Sequence, residues 1–532
     1  MTDKEPFLVS GVPLSSGDSS ENRVLIIGLD GAAPELLVPW AQEGELPNLH
    51  RLMDEGCYGE MQSTIPPISG PAWSSVITGR SPGMTGLYDF LSRKAGTYHF
   101  VPINSRMRDG RSFWQMLGDW GKRVGVLNVP VTYPVEPVNG FMVSGWMTPY
   151  HARDFTYPRD LAEELGRELG DYRLYPAATY SERRREAFFE EMDVVLRARI
   201  QATSYLMSTR SWDFFISVIY ETDLMEHQLW HYIDPTHPRY DADEVARYGN
   251  PLLRFFQGVD RGIGQFVEQA GEDVTVIVMS DHGMGAVHRF VFLNCWLLDE
   301  GFLQLKRDPA TWAKSLALKS GLDLVRVHRL ADWLNLSKDA EYKVMYTQDR
   351  LLKMAFLSFN NVDWSRSVAY SYGRGIGPIY LNVRGREPHG IVEPGEEYQR
   401  IRQEIAQRAL AYRHPDTGEP MVREVLWPEA IYHGDHVQEA PDLILVPARR
   451  PITSMASPTS GHPSCTCRPT ATRPSTGGTP SSACGGPISS AGRASIPPRW
   501  KISPPPFSMP WTCPFRQTSR DGLSWRRSNP SM

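Results

Sequence analysis

Cysteine is scarce over most of this 532-residue sequence, and long hydrophobic runs are absent. Only Cys57 and Cys295 precede residue 460, which argues against a disulfide framework there and favours a reducing cytoplasm. No run approaches the roughly 18 apolar residues that span a bilayer, so we expect no membrane span. Residues 1–22 lack the basic start and apolar stretch of a secretion signal. We expect them to form a disordered lead-in to a cytoplasmic protein.

An excess of charge of one sign is also missing. The 56 Lys and Arg residues nearly balance the 61 Asp and Glu residues, which gives a formal net charge of −5. Proteins that bind nucleic acid or anionic membranes usually carry a basic excess, so neither partner is expected. The composition, 41% hydrophobic and 22% charged, is that of a folded globular protein. No feature of the sequence assigns an oligomeric state.

Short apolar runs separated by helix-length segments are typical of residues 23–447. Four of the runs predict buried parallel strands, at residues 23–29, 123–129, 214–220 and 274–280. Strands that alternate with helical segments form βαβ units, so we predict an α/β fold with a mainly parallel central sheet and helices on both faces. Residues 377–383 and 442–447 predict further strands. Residues 305–368, rich in Leu, Lys, Asp and Trp, predict a mainly helical insertion.

Three of the predicted strands end in residues that bind metals in many proteins, namely Asp30, Asp223, and the pair Asp281 and His282. Open α/β sheets bind their ligands beyond the carboxyl ends of the strands, because the loops there can vary while the sheet fixes their origin. Each signal alone is also typical of a turn or a helix cap. Their coincidence at three strand ends favours a metal site.

A second ligand pair follows from helical spacing. His227 lies at i+4 from Asp223, which places both side chains on one face if a helix begins there. Asp and His together suit Zn²⁺ or Mn²⁺ better than Mg²⁺ or Ca²⁺, which favour oxygen ligands. Three nearby histidines are alternative ligands of metal or substrate: His231, His237 and His288.

Ser69 precedes Gly70 and Pro71 at the start of a helix-like segment. Proline suits the first turn of a helix, so we expect Ser69 at a helix N-terminus, where free N–H groups and the helix dipole favour a phosphate. Position alone leaves two interpretations open. Ser69 either caps the helix or acts as a nucleophile.

Four segments in this order, LIIGLDGAAPELL, PPISGPAWSSVITG, YETDLMEH and SDHGMG, resemble the type I phosphodiesterase and nucleotide pyrophosphatase branch of the alkaline phosphatase superfamily. The resemblance extends over residues 23–447 and implies one alkaline phosphatase-like hydrolase domain that holds two divalent metal ions, usually zinc, with manganese as an alternative. It also implies that the nucleophile forms a phosphoseryl intermediate. The implied metal ligands are Asp30, Asp281 and His282 for the metal that also holds the nucleophile Ser69, and Asp223 and His227 for the other metal.

The resemblance implies a metal-dependent phosphohydrolase whose substrate is a small nucleotide, sugar or lipid phosphoester. Transfer of a phosphoryl or phosphoalcohol group to another acceptor by the same site is an alternative. Eukaryotic nucleotide pyrophosphatases carry Thr as nucleophile and Asn three residues later, where this chain has Ser69 and Ala72. The substrates of those enzymes therefore cannot be assigned to this chain. Trp73, and Arg374 in a segment similar to a bacterial branch of the family, are weaker candidates for contact with substrate. Specificity is expected to reside in the insertion and in residues 150–161.

Residues 448–532 differ in composition from the rest of the chain. Pro, Ser, Thr, Arg and Gly dominate, and Asp521 is the only acidic residue after Asp442, so we expect a disordered or misfolded tail. The resemblance implies one more metal-binding histidine after residues 440–445. His462 follows, but the sequence around it is unlike that of the family. A phosphate-binding protein with impaired catalysis is therefore an alternative function.

The tail regains a family resemblance when it is translated in another frame. Joining the last base of each codon to the first two bases of the next forces Glu at residues 500–501, Ala at 509–510 and Asp at 511–512. Within residues 494–522 this frame permits VEDLAPTILYAMDLPVP, which resembles the closing segment of the family. We interpret the tail as out of frame, in which case His462 is not the implied ligand and one metal lacks a ligand. A natural disordered tail is the alternative.

Sequencing the gene across codons 440–460 tests this interpretation. We expect a single-base slip whose correction restores the closing segment and the missing histidine. An intact and reproducible frame that encodes the present tail would contradict it.

Overall fold

The structure is a computed structural model that describes residues 23–170, 172–178, 180–319, 357–373, 376–414 and 417–448, with the backbone of 452–455. The described strands are β1 Arg23–Leu29, β2 Leu91–Arg93, β3 Phe100–Pro102, β4 Val124–Val129, β5 Gly140–Ser144, β6 Thr156–Tyr157, β7 Phe214–Ile219, β8 Val274–Met279, β9 Arg289–Phe292, β10 Ala369–Tyr370, β11 Pro378–Leu381, β12 Val422–Leu426, β13 Leu443–Pro447 and β14 Ile452–Met455. The described α-helices are α1 Pro34–Gln42, α2 Pro47–Glu55, α3 Ser69–Thr78, α4 Pro82–Thr85, α5 Phe113–Asp119, α6 Leu161–Leu169, α7 Arg185–Thr209, α8 Glu221–Leu229, α9 Ala242–Tyr248, α10 Pro251–Ala270, α11 Leu293–Asp299, α12 Pro309–Lys319, α13 Glu396–Ala411 and α14 Pro428–Ile431. Short 3₁₀ helices are Ser105–Met107, Trp230–Tyr232, Phe359–Asn361 and Val437–Glu439.

Six strands form the main sheet in the order β6-β5-β4-β7-β1-β8. Five of them run parallel, and β6 pairs antiparallel with β5 at the opposite edge from β8. The four runs that predicted buried parallel strands form β1, β4, β7 and β8, so the prediction of a mainly parallel sheet is confirmed. Because β1 lies between β7 and β8, the carboxyl ends of these three strands are neighbours.

Helices cover both faces of the main sheet. Successive residues of a strand point to opposite faces, so each strand packs against helices on both sides. On β7, Phe215 packs in the larger core, together with Phe188 of α7 and Phe256 of α10. The next residue, Ile216, packs in the core on the other face with Trp73 of α3. The predicted α/β layering is therefore present.

A smaller antiparallel sheet, β10-β11-β13-β12, has a core of its own with α11 and α13. The strands predicted at residues 377–383 and 442–447 are β11 and β13 of this sheet, not members of the main sheet. Of the insertion predicted at residues 305–368, α12 and one 3₁₀ helix lie in the described part, and residues 320–356 lie outside it. The predicted lead-in and nearly all of the tail also lie outside the described residues, and the domain boundaries stay predictions.

β8 is the outermost strand of the main sheet in the part of the chain that the structure describes. Every residue of β4 and β7 is buried, whereas Thr275 and Ile277 of β8 are exposed, Ile277 by 41%. Among the described strands, only β1 pairs with it, and an apolar edge strand of this kind is a template for pairing with another strand. The described chain has no helix that is both long and apolar enough to cross a membrane.

Close packing between β1 and α3 predicts the effect of one substitution. A Cβ on Gly28 would lie 2.5 Å from Cη2 of Trp73 and 2.9 Å from Cγ2 of Val218. Because the interior cannot absorb this volume, we expect Gly28→Ala to lower the free energy of unfolding by about 1–3 kcal/mol. Urea denaturation measures the change.

Gly166→Ala on α6 is the matched control, because no atom lies within 4 Å of the added Cβ. It should leave stability unchanged or raise it by about 0.5–1 kcal/mol, since alanine favours a helix interior. Equal stability of the Gly28→Ala and unmodified proteins would contradict the close packing.

Candidate active site

The carboxyl ends of β1, β7 and β8 bring the predicted strand-end residues together. Asp30 follows β1 directly, and Asp223 lies in the first turn of α8, which follows β7. Asp281 and His282 follow β8. Gly31 turns the chain after Asp30 with a φ of +67°, a conformation that glycine adopts readily. Its N–H donates to Oδ1 of Asp281 at 3.1 Å, so the first and third strand ends are joined by a hydrogen bond.

Ser69 is the first residue of α3, as its sequence context predicted. Ile68 occupies the N-cap position, so Ser69 is not the cap of this helix. Instead, its Oγ donates to Oδ1 of Asp30 at 3.0 Å and lies 3.1 Å from Nε2 of His282. A hydroxyl at a helix N-terminus with a carboxylate as hydrogen-bond acceptor has the arrangement that a serine nucleophile requires. Its catalytic role stays a prediction.

Atoms of the kind that bind metals cluster around this hydroxyl. Asp30, Asp223 and His282 each offer one oxygen or nitrogen, and these three atoms lie within 4.8 Å of one another. Nε2 of His282 is 3.5 to 4.0 Å from a carboxylate oxygen of each of these acids and of Asp281. In the described part of the chain this is the one group of His, Cys, Asp or Glu donors compact enough to hold a metal ion.

The donor atoms fit a divalent cation. Oδ1 of Asp223 and Oδ2 of Asp281 are buried without a hydrogen-bond partner among the described residues, an arrangement that costs free energy unless a cation binds. Nδ1 of His282 lies 2.9 Å from the carbonyl oxygen of Gly283. That oxygen can only accept, so Nδ1 carries a proton, and Nε2 can bind a cation once its own proton is lost. Carboxylate and imidazole ligands together suit Zn²⁺ or Mn²⁺.

Crowding of buried carboxylates shifts the pKa values in the cluster. Burial raises the pKa of Asp30 well above its usual value, and the charges of Asp281 and Asp223 raise it further. Burial also raises the pKa of Asp281 to about 6. Burial alone would lower the pKa of His282, but the three carboxylates outweigh this effect and raise it to about 9. The site therefore retains protons unless a cation replaces them.

His227 and Asp223 share one face of α8, as the i+4 spacing predicted, and Nε2 of His227 is 3.4 Å from Oδ1 of Asp223. The His227 side chain is 53% exposed and stands outside the compact donor group. The alternative ligands form a row of rings, with centroids 5.9 Å apart from His231 to His237 and 6.4 Å apart from His237 to His288. None of the three belongs to the compact group, and their binding of metal or substrate stays a prediction.

The two weaker candidates for substrate contact have different positions. Trp73 is completely buried, and its Nε1 donates to Oδ2 of Asp30 at 2.8 Å. It therefore holds a predicted metal ligand in place, and its contact with substrate stays a prediction. Arg374 lies outside the described residues, and so does His462.

Sequence reasoning missed two side chains that support the site. Glu226 is completely buried, and its Oε1 accepts the N–H of Ala33, which ties α8 to the loop after β1. Ser63 donates from Oγ to the carbonyl oxygen of Asp281 at 2.7 Å. The spacing of Glu226, three residues after Asp223, was an available signal. The hydrogen bond of Ser63 joins segments that are far apart in the sequence, so no local sequence pattern could have predicted it.

The chain is similar to one protein family in sequence and to several solved structures in fold. A family model described as type I phosphodiesterase / nucleotide pyrophosphatase matches residues 24–466. No curated protein gives a significant match to the chain. Among solved structures, phosphonoacetate hydrolase from Sinorhizobium meliloti 1021, in complex with phosphonoformate, is 16% identical, with a TM-score of 0.48 and coverage of 82% of this chain and 83% of that chain. Human ectonucleotide pyrophosphatase / phosphodiesterase 5 is 12% identical, with a TM-score of 0.41 and coverage of 83% and 82%. An inactive form of the murine protein, in complex with AMP, is 15% identical, with a TM-score of 0.34 and coverage of 55% and 65%.

The pKa shifts predict how metal removal changes stability with pH. The raised pKa values of Asp30 and Asp281 contribute to the stability of the metal-free protein, and this contribution is complete at a pH below 3.8, the pKa in the unfolded chain. It is lost as the pH rises through the pKa values of the folded protein. His282 adds stability that is present below 6.5 and lost as pH rises through about 9. A bound cation should reverse both effects, because it favours the deprotonated groups.

Thermal unfolding with EDTA, and with Zn²⁺ or Mn²⁺, measures this effect between pH 5 and pH 9. We expect the rise in Tm on metal addition to be larger at pH 8 than at pH 5.5. A rise that shrinks with increasing pH, or no rise at any pH, would contradict the assignment of these residues as metal ligands.

Proposed function

The chain belongs to the type I phosphodiesterase / nucleotide pyrophosphatase family and is a phosphoester hydrolase, and from this premise we propose that it is a metal-dependent enzyme with Ser69 as its nucleophile. The observation that carries the proposal is the position of the Ser69 hydroxyl. It lies at the N-terminus of α3, donates to Oδ1 of Asp30 and contacts Nε2 of His282. The proposed substrate is a small phosphoester of a nucleotide, sugar or lipid alcohol.

Two steps describe the proposed reaction. Oγ of Ser69 attacks phosphorus, the bond from phosphorus to the leaving oxygen breaks, and the substrate phosphoryl group becomes esterified to the serine. Oδ1 of Asp30 already accepts the hydroxyl hydrogen and stands where that proton departs. Water then cleaves the phosphoserine ester and restores Ser69. The backbone N–H groups of Ser69 and Gly70 at the start of α3 would orient the phosphate oxygens during both steps, since Pro71 has no N–H and the N–H of Ala72 donates to the carbonyl oxygen of Ile68.

The proposed metal ligands are those of the carboxylate cluster and of α8. Asp30, Asp281 and His282 would hold one divalent cation, and Asp223 and His227 would contribute to the other. Bound cations of this kind lower the pKa of a nucleophile and neutralise charge that develops on phosphate oxygens. Zinc is the proposed metal and manganese the alternative, because the ligands combine carboxylate oxygen with imidazole nitrogen.

Ser69→Ala tests the nucleophile. We expect it to lower hydrolysis of bis(p-nitrophenyl) phosphate and p-nitrophenyl phosphate by about 10³-fold or more, because the variant lacks the hydroxyl that attacks phosphorus. Rates of nitrophenolate release, with added Zn²⁺ or Mn²⁺ and again after chelation, measure the effect.

Ser75→Ala is the matched control. It makes the same change on the same helix, where Oγ of Ser75 bonds only to the carbonyl oxygen of Pro71 in the described structure, and it should retain activity. Unchanged metal-dependent hydrolysis by Ser69→Ala would exclude the proposed nucleophile.

A further inference from the structure

Helix α12 directs its apolar side chains toward solvent. Helices at a protein surface normally direct their apolar face to the core and their polar face to water. In the described part of α12 every exposed residue is apolar, and these residues share one face: Pro309, Ala310, Trp312, Ala313 and Leu316. Trp312 is 67% exposed and Leu316 is 50% exposed. We call these five residues the outer face of α12.

Polar contacts on the opposite side of α12 fix this orientation. Thr311 is only 2% exposed, and its Oγ1 accepts from Nδ2 of Asn361 at 2.8 Å. Thr311 also donates to the carboxylate of Asp308, from its N–H at 2.9 Å and from Oγ1 at 2.8 Å. Nζ of Lys314 lies 3.5 Å from Oδ1 of Asn361. Rotation of α12 to bury the outer face would break these bonds, so the exposure of its apolar residues is part of the fold.

Basic side chains border the outer face. Lys306 and Arg307 directly precede α12 and are exposed. Residues 304–320 contain four basic residues and one acidic residue, Asp308, whose carboxylate accepts the two hydrogen bonds from Thr311. The net charge of −5 over the whole chain conceals this local basic excess. Indole and aliphatic side chains beside lysine and arginine are typical of helices that lie in the surface of an anionic bilayer.

We propose that the outer face of α12 docks the protein on an anionic lipid surface. Trp312 and Leu316 would enter the boundary between headgroups and acyl chains, where tryptophan is favoured because its ring is apolar and its N–H is polar. Lys306 and Arg307 would contact the lipid phosphates. The helix has 11 residues and binds through its side, so it lies on the bilayer and does not cross it. The proposal does not depend on the identity of the nucleophile.

A second exposed tryptophan provides a matched control. Trp120, at the end of α5, is 79% exposed and lies four residues after Met116, which is 39% exposed. Beside this pair, Arg111 is bound by Asp119 at 2.6 Å. The two sites therefore share exposed apolar side chains and differ in the charge around them.

Sedimentation with vesicles tests the proposal on the full chain. The vesicles contain phosphatidylcholine alone or with about one quarter phosphatidylglycerol, an anionic lipid. We expect the partition coefficient on the anionic vesicles to fall about tenfold in Trp312→Ser with Leu316→Ser, and about tenfold in Lys306→Gln with Arg307→Gln. Trp312→Phe should retain most of the binding, and Trp120→Ser all of it. The basic tail at residues 448–532 is present in every variant, so its attraction for lipid is common to all of them.

Three results would overturn the proposal. The first is unchanged binding of the Trp312→Ser, Leu316→Ser protein, or equal binding of the unmodified protein to both kinds of vesicle. The second is an equal loss in Trp120→Ser, which indicates adsorption through any exposed indole. The third is a change in Tm or in sedimentation coefficient without lipid, while vesicle binding stays the same. That result would assign the outer face to another segment or a second copy of this chain.

Discussion

Mutual repulsion among three crowded carboxylates, two of them buried, is the constraint on which the rest of this structure depends. Asp30, Asp223 and Asp281 converge within reach of one imidazole, and two of their oxygens have no hydrogen-bond partner among the described residues. Buried like charges of this kind must take up protons or bind a cation. The adjacent strands β7, β1 and β8 supply the rigid frame that keeps the carboxylates together. Thr222 reinforces that frame by donating from Oγ1 to the carbonyl oxygen of Asp30 at 2.6 Å.

The start of α8 needs the same rigidity, because this helix carries Asp223 and His227. Its first residue, Glu221, is completely buried and accepts from Nε of the buried Arg199 of α7 at 2.9 Å. A buried ion pair adds little net stability, but removal of one partner costs about 3–5 kcal/mol. The pair therefore mainly fixes the position of the helix end that carries Asp223 and His227, the proposed metal ligands.

Local patterns in the sequence were sufficient for the parts of the fold and site that depend on nearby residues. A continuous apolar run specifies a parallel strand, although β8 is partly exposed and not buried as predicted. The residue after such a strand must lie at the carboxyl edge of the sheet, so Asp30 and Asp281 could be placed. The spacing of Asp223 and His227 needed only a helix. Whether Ser69 caps α3 or starts it depends on a shift of one residue, which lies below the precision of propensity arguments.

The parts that sequence reasoning did not find depend on contacts between distant segments. Phe90 reaches Gly70, the residue after Ser69, only because the loop after α4 folds toward α3. The assignment of β11 and β13 to a separate antiparallel sheet depends on strand pairing, which the composition of a strand does not encode. Trp73 shows the same limit, since its bond to Asp30 joins two elements that are not neighbours in sequence.

The exposed edge of β8 has a consequence for how the protein would exchange its metal. This strand leads directly to Asp281 and His282, and in the described chain it is held by β1 on one side only. Partial opening of an edge strand requires far less free energy than global unfolding. Detachment of β8 alone would withdraw two of the proposed ligands together. Metal release would then follow the rate of a local fluctuation, and a bound ion would protect the amides of β8 from hydrogen exchange more strongly than those of the central strands.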